Sequence, residues 1–201
     1  MENSKIIFTC TENELTQIAA LHQHNISAGF LSSLGENFLQ LIYSSIQEKG
    51  ILIAALENNQ VIGFVSGAVR LQDVYQSFVR RNFFKSLFFL LPKLISFRVF
   101  RKLVELILYP FSKKDDSLPL PTAELLTMVV DEDHRGKKIS ERLYQELVTK
   151  FKEKNIMEFK IMVGGNLIHA QKFYEKMGAV RYKQIFIHKG ENSWIYIHRI
   201  V

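Results

Sequence analysis

The feature that most constrains the fold is residues 124–143, which predict a strand, a short turn and a basic helix in immediate succession. Residues 122–130 are rich in β-branched and apolar side chains and are long enough for a buried strand. Residues 131–134 are polar and predict a turn. From Gly136 onward the pattern predicts a helix, because charged side chains fill one face and apolar residues recur on the other at Ile139, Leu143, Leu147, Val148 and Phe151.

The start of this helix is suited to binding an anion. The first turn of any helix leaves backbone N–H groups unpaired and carries the positive end of the helix dipole. Arg135, Lys137 and Lys138 add three full positive charges at the same point. The segment therefore predicts a turn that binds a pyrophosphate.

Residues 135–140, Arg-Gly-Lys-Lys-Ile-Ser, resemble the acetyl-CoA motif of the GNAT superfamily of N-acetyltransferases. The family pattern is Arg or Gln, two residues, Gly, one residue, and then Gly or Ala. Arg135 matches the first position, whereas Lys138 and Ser140 stand where the family prefers small residues. Glycine usually marks a place where the backbone approaches a ligand closely, so both positions bear directly on the cofactor.

A second segment, residues 166–179, resembles another part of the same family, with the pattern Asn, Ala, Tyr-Glu-Lys and Gly. Asn166 is placed to cap the start of a helix, and Gly178 is placed to end it. Ala170, Phe173 and Met177 lie between them on one face of the predicted helix, in the same segment as Tyr174.

The order of predicted elements agrees with this resemblance, which is good over residues 120–182, loose over the first 70 residues and minimal over 71–118. Capping-box patterns at residues 11–14 and 33–36 predict two helix starts, and Asn58-Asn59 predicts a tight hairpin. The resemblance implies an α/β (α+β) fold: a mixed, mostly antiparallel sheet of about seven strands with helices on both faces and a helical insert. We expect a single domain over residues 1–201.

The resemblance also implies a cofactor site for acetyl-CoA as cosubstrate. In the family the fourth and fifth strands separate, and pantetheine pairs with backbone groups of the fourth strand, here Met128, Val129 and Val130. A backbone N–H of Met128 or a neighbour would polarise the thioester carbonyl. The remaining cofactor-binding candidates carried over from the two motifs are Arg135, Gly136, Lys137, Lys138, Ile139, Ser140, Asn166 and Tyr174.

Two residues are candidates for catalysis. An amine is mostly protonated near pH 7, so acetyl transfer benefits from a general base. Glu124 lies eleven residues before Arg135, where several family members carry a catalytic glutamate. Its alternative role is a carboxylate at a strand entry, paired with a surface lysine. Tyr174 is the candidate general acid because a phenol is protonated at neutral pH and can donate to a thiolate; the alternative is a half-buried helix tyrosine.

The composition excludes several other classes of protein. One cysteine, Cys10, excludes an internal disulfide and fits a reducing compartment. We find no signal peptide and no run of about 18 apolar residues, so we expect a cytoplasmic protein. His22 and His24 do not share a helix face, and no Cys/His cluster suggests zinc, so no metal site is expected.

The insert, residues 71–118, concentrates the positive charge of the chain. Between Arg70 and Lys114 there are ten basic and two acidic residues, whereas the whole chain has a net charge of +6. Residues 79–109 interleave aromatics with Arg and Lys, and Pro92 predicts a break between two helices. This pattern fits peripheral contact with an anionic membrane, a lid over the acceptor site or a homodimer contact. The dense aliphatic content argues against nucleic acid.

The function these features indicate is an acyl-CoA N-acyltransferase of the N-acetyltransferase type, acting on a primary amine by direct transfer in a ternary complex. We expect the acceptor to be a small molecule or an amino sugar. Two alternatives remain open. One is a protein or peptide N-acetyltransferase. The other, motivated by Lys138 and Ser140, is a catalytically inactive GNAT-fold binding module at a membrane surface.

Overall fold

The computed structural model describes residues 4–26, 30–94, 120–188 and 191–200. Its strands and helices follow in the order below, with one short helix, Phe30–Ser33, in addition to the predicted elements. They are β1 (Lys5–Ile7), α1 (Glu12–Asn25), α2 (Phe30–Ser33), α3 (Glu36–Lys49), β2 (Ile51–Glu57), β3 (Gln60–Ala68), α4 (Leu71–Leu94), β4 (Glu124–Val130), α5 (Ile139–Glu153), β5 (Glu158–Gly164), α6 (Ile168–Lys176), β6 (Val180–His188) and β7 (Glu191–Arg199). A short 3₁₀ helix, Glu132–His134, lies between β4 and α5.

The strands form one seven-stranded sheet in the order β1-β2-β3-β4-β5-β7-β6. All neighbouring pairs are antiparallel except β4 and β5, which are parallel. This open, mixed and mostly antiparallel sheet confirms the predicted fold class. The single parallel pair places the start of β5 beside the start of β4, and both strands lie near the middle of the sheet.

Helices cover both faces of the sheet and create two hydrophobic cores. On the first, here called the α5 face, α5 and α6 pack on the sheet through residues that include Leu143, Leu147, Phe151 and Tyr174. On the second, the α1 face, α1 and α3 pack through residues that include Leu15, Ile18, Leu39 and Tyr43. Because β2 and β3 lie between the two cores, almost all their residues are buried, and their sequences are nearly continuous apolar runs.

Short-range signals predicted most of the turns and helix ends correctly. Thr11 and Glu14 form the predicted capping box at the start of α1. Asn58 and Asn59 both adopt positive φ, at 50° and 62°, in the hairpin between β2 and β3. Gly178 has a φ of 91°, and its N–H donates to the Glu175 carbonyl while the next N–H donates to the Tyr174 carbonyl. This is the Schellman arrangement that ends a helix.

The predicted capping box at residues 33–36 is wrong. The N-cap of α3 is Gly35, with a φ of 93°, and no side chain caps this helix. Ser33 instead ends the short helix α2, so its backbone is already committed to a preceding turn. A box requires the serine to be the N-cap residue itself, and that condition fails here.

Helix α4 is continuous through Pro92, so the predicted break at this residue is wrong. Proline removes one helical hydrogen bond, but the backbone keeps its helical conformation on both sides. The first part of α4 packs on α3: the rings of Phe38 and Phe78 are 5.4 Å apart, and Ser77 donates to Glu48 at 2.8 Å. The second predicted helix, which would cover residues 95–109 of the segment 79–109, lies outside the described residues. In the described part of the chain, no helix is long and apolar enough to cross a membrane.

Candidate active site

Strands β4 and β5 separate after a short paired segment. They pair only at Glu124 with Lys160 and at Leu125 with Ile161, whereas β4 continues to pair with β3 as far as Val130. Beyond Leu125, the edge of β4 that faces β5 has no strand partner among the described residues. An open strand edge inside a sheet can pair with the amide groups of an extended ligand. The separation implied by the sequence resemblance is therefore present, next to Met128, Val129 and Val130.

A β-bulge in β4 decides which side chains share a face at this gap. Ala68 pairs with Glu124 and Ser66 pairs with Thr127, so one extra residue of β4, Leu126, lies between these pairs. Residues two apart in β3 point to the same face, and Ala68 belongs to the core of the α1 face. The bulge therefore brings Glu124 and Thr127, three residues apart in sequence, to neighbouring positions on the α1 face.

Glu124 is a buried carboxylate, with 4% of the residue exposed. Its Oε2 lies 3.2 Å from Nζ of Lys160, the residue that pairs with it across the start of β5. Burial raises the pKa of Glu124, and the positive charge of Lys160 opposes that rise. The lysine also donates to the Pro121 carbonyl at 3.0 Å, which holds it in place. Glu124 is thus paired with a lysine at a strand entry, as in its alternative structural role. It is also desolvated, as expected of a general base.

Tyr174 lies on α6 and belongs to the core of the α5 face. Its ring packs against Tyr144 and Phe173, with centroids 6.0 and 5.4 Å away. Burial raises the pKa of the Tyr174 phenol, so the hydroxyl stays protonated through the physiological range. Glu124 and Tyr174 therefore lie on opposite faces of the sheet. The described part of the sheet opens between these two faces where β4 and β5 separate beyond Leu125.

The loop before α5 contains two residues with left-handed backbone conformation. Gly136 has a φ of 81° and Lys138, the N-cap of α5, has a φ of 59°. The helix begins at Ile139, three residues later than predicted, because these conformations are incompatible with a right-handed helix. Lys138 thus adopts the backbone geometry for which the family glycine is suited. Its side chain and that of Lys137 are exposed, and Ser140 lies in the first turn of α5.

Two side-chain clusters fix this loop from outside. His134 contacts Asp131 at 2.9 Å and Glu57 at 3.1 Å, so it is held between two carboxylates. Arg135 contacts Glu132 at 3.2 Å and donates to Asn25, at the end of α1, at 3.0 Å. The loop is therefore connected to elements of both the α5 face and the α1 face.

Replacing Gly136 by alanine should destabilise the protein through the backbone alone. No atom lies within 4 Å of the position that a Cβ would take, so the substitution meets no steric clash. The positive φ of 81° nevertheless disfavours any L-residue, and we expect a loss of about 1–2 kcal/mol in unfolding free energy, measured by urea denaturation. Lys138→Gly, at a residue with a φ of 59°, is the matched variant and should cause no loss. Equal losses in both variants would contradict this explanation.

The start of α6 differs from the predicted arrangement. The helix begins at Ile168 with Leu167 as N-cap, and no side chain caps it, so Asn166 is not the cap. Asn166 lies in the preceding turn and is exposed. The turn is fixed by Gln171, which is buried and donates from Nε2 to the carbonyls of Gly164 and Gly165, both at 3.0 Å. Sequence analysis missed Gln171, because a glutamine at helical spacing is equally typical of an exposed face.

Comparisons with known proteins agree with this geometry. The sequence model described as the acetyltransferase (GNAT) family matches residues 18–179. The search of curated proteins found no significant match for this chain. Among solved structures, an N-acetyltransferase from Staphylococcus aureus Mu50 superposes with a TM-score of 0.63 at 14% identity, covering 100% of both chains. The ribosomal-protein-S18-alanine N-acetyltransferase from Escherichia coli has a TM-score of 0.60 at 13% identity, covering 98% of this chain and 94% of that one.

A third solved structure contains a bound peptide and CoA. The NatC complex bound to Gag peptide and CoA matches with a TM-score of 0.57 at 13% identity, covering 100% of both chains. At these identities the structural likeness establishes the fold alone, while the family match spans most of the chain. By its sequence and its fold, this chain belongs to the GNAT acetyltransferase family.

Proposed function

We propose that this chain transfers an acetyl group from acetyl-CoA to a primary amine by direct transfer within a ternary complex. The main support for this proposal is the open edge of β4 where it separates from β5. This edge lies immediately before a cationic loop at the start of α5. An open edge and a helix start in this order suit a long ligand with amide groups at one end and a pyrophosphate at the other.

Backbone groups would provide most of the contacts with the cosubstrate. Met128, Val129 and Val130 would pair with the pantetheine amides along the open edge of β4. The pyrophosphate would lie on the N–H groups of the loop and first turn, with charge supplied by lysine and arginine side chains. The residues of that loop are Arg135, Gly136, Lys137, Lys138, Ile139 and Ser140. Asn166, exposed in the turn before α6, would contact the same ligand from the β5 side.

Glu124 is the proposed general base. It lies on the α1 face, where the acceptor would approach, and a carboxylate whose pKa is raised by burial is a stronger base than a solvated one. It would take the proton that the amine loses as the new C–N bond forms. Lys160, 3.2 Å away, favours the ionised carboxylate that a base requires and so opposes the effect of burial.

Groups on the α5 face would stabilise the negative charge that develops on the thioester carbonyl and on the departing sulfur. The backbone N–H of Met128, on the open strand, would donate to the thioester carbonyl as negative charge develops there. Tyr174 would donate a hydrogen bond to the departing sulfur. Because burial raises its pKa, we expect Tyr174 to support the thiolate as a hydrogen-bond donor that remains protonated between turnovers. No covalent enzyme intermediate is required.

The acceptor we propose is a small molecule or amino sugar, and the test comes in two steps. The first is calorimetric titration of the protein with acetyl-CoA, for which we expect micromolar affinity. The second is release of free CoA thiol with glucosamine, kanamycin, spermidine and a short peptide with a free N-terminus. Acetylation of the peptide alone would replace the proposed acceptor class. Binding of acetyl-CoA without acetylation of any of these amines would contradict the proposed transfer.

Changing Tyr174 to Phe should lower kcat by about tenfold to a hundredfold, since a hydrogen bond donated to a charged group such as the departing thiolate contributes about 1.5–3 kcal/mol. The ring and its packing on Tyr144 and Phe173 are retained, so the affinity for acetyl-CoA should be unchanged. The readouts are CoA release and calorimetry on the same preparations. An unchanged kcat would remove Tyr174 from the mechanism, and a matching loss of affinity would make its role one of cofactor binding.

A further inference from the structure

A chain of polar side chains crosses the hydrophobic core of the α1 face and ends at the gap. His22, in the last turn of α1, lies with Nδ1 2.5 Å from the hydroxyl of Tyr43 on α3. The Tyr43 hydroxyl is also within hydrogen-bonding reach of the Thr127 side chain on β4. His22 and Tyr43 are 3% and 1% exposed, whereas Thr127 is only partly buried. The chain therefore runs from a sealed interior to the open part of β4.

The protonation state of each group limits the directions that the hydrogen bonds can take. Burial lowers the pKa of His22 to about 4, so the imidazole is neutral and one of its nitrogens is an acceptor. Burial raises the pKa of the Tyr43 phenol, so the phenol keeps its single hydrogen. If that hydrogen is donated to Nδ1, the Tyr43 oxygen can accept from the Thr127 hydroxyl. In this arrangement the lone pairs of the Thr127 oxygen remain available to a ligand in the gap.

One atom in this series of hydrogen-bonded side chains destabilises the folded state. Nε2 of His22 is buried and has no hydrogen-bond partner in the described part of the structure. Leaving a buried polar atom unpaired destabilises the folded state, so a histidine in this place is unfavourable on packing grounds alone. An apolar residue would fill the same volume without this cost, which suggests that the interaction at Nδ1 has a function.

The β-bulge in β4 places the end of this chain beside the proposed base. Thr127 and Glu124 pair with Ser66 and Ala68 of β3, so their side chains are neighbours on the α1 face. Thr127 lies just beyond Leu125, the last residue of β4 that pairs with β5. An amine that reaches Glu124 from the α1 face would therefore meet the Thr127 hydroxyl at the same point.

We propose that the Thr127 oxygen accepts a hydrogen bond from the acceptor amine and that Tyr43 and His22 are positioning residues that orient it. This inference rests on the proposed acetyl transfer. A neutral primary amine has two N–H bonds. As nitrogen forms the C–N bond and the C–S bond breaks, one proton passes to Glu124 and is later returned to the sulfur, giving the thiol. The second N–H remains in the amide and keeps its hydrogen bond to Thr127.

This assignment predicts a preference for primary amines. The N-methyl derivative of the same amine has one N–H, which must go to Glu124, so Thr127 is left without a donor. Since a buried acceptor without a donor discriminates against such a ligand, Thr127 would act as a specificity-determining residue. Valine has nearly the same shape as threonine and lacks the hydroxyl, so Thr127→Val should remove the preference without changing the space available.

The test compares Thr127→Val, Thr127→Ser and Tyr43→Phe with Ser45→Ala, which removes a buried α3 hydroxyl bonded to Asn82. The substrates are the member of the four-amine panel that reacts fastest and its N-methyl derivative. We expect Thr127→Val to raise KM for the primary amine by about tenfold, with kcat changed by less than about threefold. The N-methyl derivative should be unaffected. Ser45→Ala should match the wild type, Thr127→Ser should keep the preference for the primary amine because it keeps a hydroxyl, and Tyr43→Phe should raise KM by a smaller factor.

Two further readouts separate the inference from the function on which it rests. In nitrogen NMR of histidine-labelled protein, His22 should be the neutral tautomer with its proton on Nε2, and a proton on Nδ1 would overturn the proposed orientation. Equal behaviour of Thr127→Val and wild type on both amines would overturn the inference while acetyl transfer stands. A wild type that binds acetyl-CoA but acetylates none of the four amines would refute the transfer and this inference with it.

Discussion

Glu124→Gln should lower kcat by about 10²- to 10³-fold while leaving the affinity for acetyl-CoA unchanged, because the amide has the shape of the carboxylate but cannot take a proton. Glutamine can still accept from Lys160, the group 3.2 Å away, so the local structure should be retained. The measurement is CoA release with a saturating amine, alongside calorimetry. Glu158→Gln, at an exposed carboxylate that begins β5 next to Arg199, is the control and should behave as wild type.

The pH profile provides an independent test of the same residue. A base acts when deprotonated, so kcat should rise with pH as Glu124 loses its proton. Burial raises the pKa of Glu124 and Lys160 lowers it again, so the midpoint of this limb should lie above the ordinary value for glutamate. Lys160→Met removes the opposing charge and should move the midpoint to higher pH. A limb that does not move in Lys160→Met, or that survives in Glu124→Gln, would exclude Glu124 as the base.

Phe151→Ala should lower the unfolding free energy by about 3–5 kcal/mol, the usual cost of deleting a fully buried aromatic ring. Phe151 is 0% exposed, its ring lies 4.8 Å from that of Phe159, and its tip faces Gly67 of β3. The cavity would lie between α5 and the sheet. The loss should appear as a lower urea midpoint at unchanged slope.

The substitution should also destabilise the loop before α5, because Lys138 of that loop is the N-cap of the helix. We therefore expect weaker binding of acetyl-CoA to Phe151→Ala near its unfolding midpoint. Gln145→Ala, at an exposed position of the same helix, should change stability by no more than about 0.5 kcal/mol. A similar loss in both variants would contradict core packing as the cause of the loss in Phe151→Ala, since alanine raises the helix propensity at both positions.

Local sequence patterns were sufficient to predict most of the turns and helix ends. The capping box at Thr11, the Asn58-Asn59 turn and the glycine stop at Gly178 depend on residues within about one helical turn of each other, so the sequence contains the whole interaction. Pro92 and the second capping box show the limit of this approach. In both cases the pattern is real, but the surrounding backbone determines whether the residue breaks or begins a helix.

Candidate site residues could be chosen from the sequence, but their arrangement in space could not be predicted from it. Glu124 and Tyr174 were found from their spacing to family motifs, and their roles remain proposals. Their placement on opposite faces of the sheet was not predictable, because residues 125–130 are almost all apolar and show no alternation. The bulge at Leu126 leaves no pattern for the same reason. Lys160 was missed as the partner of Glu124 because 36 residues separate them in sequence.

By itself, the sequence determined the order of strands and helices, the cationic loop before α5 and the family to which the chain is similar, since each depends on neighbouring residues. Only the tertiary structure decided where β4 and β5 separate, which side chains meet there, and that His22 contacts Tyr43, 21 residues away. These features depend on strand register and helix packing. Both are set by contacts between distant segments, and no local periodicity records them.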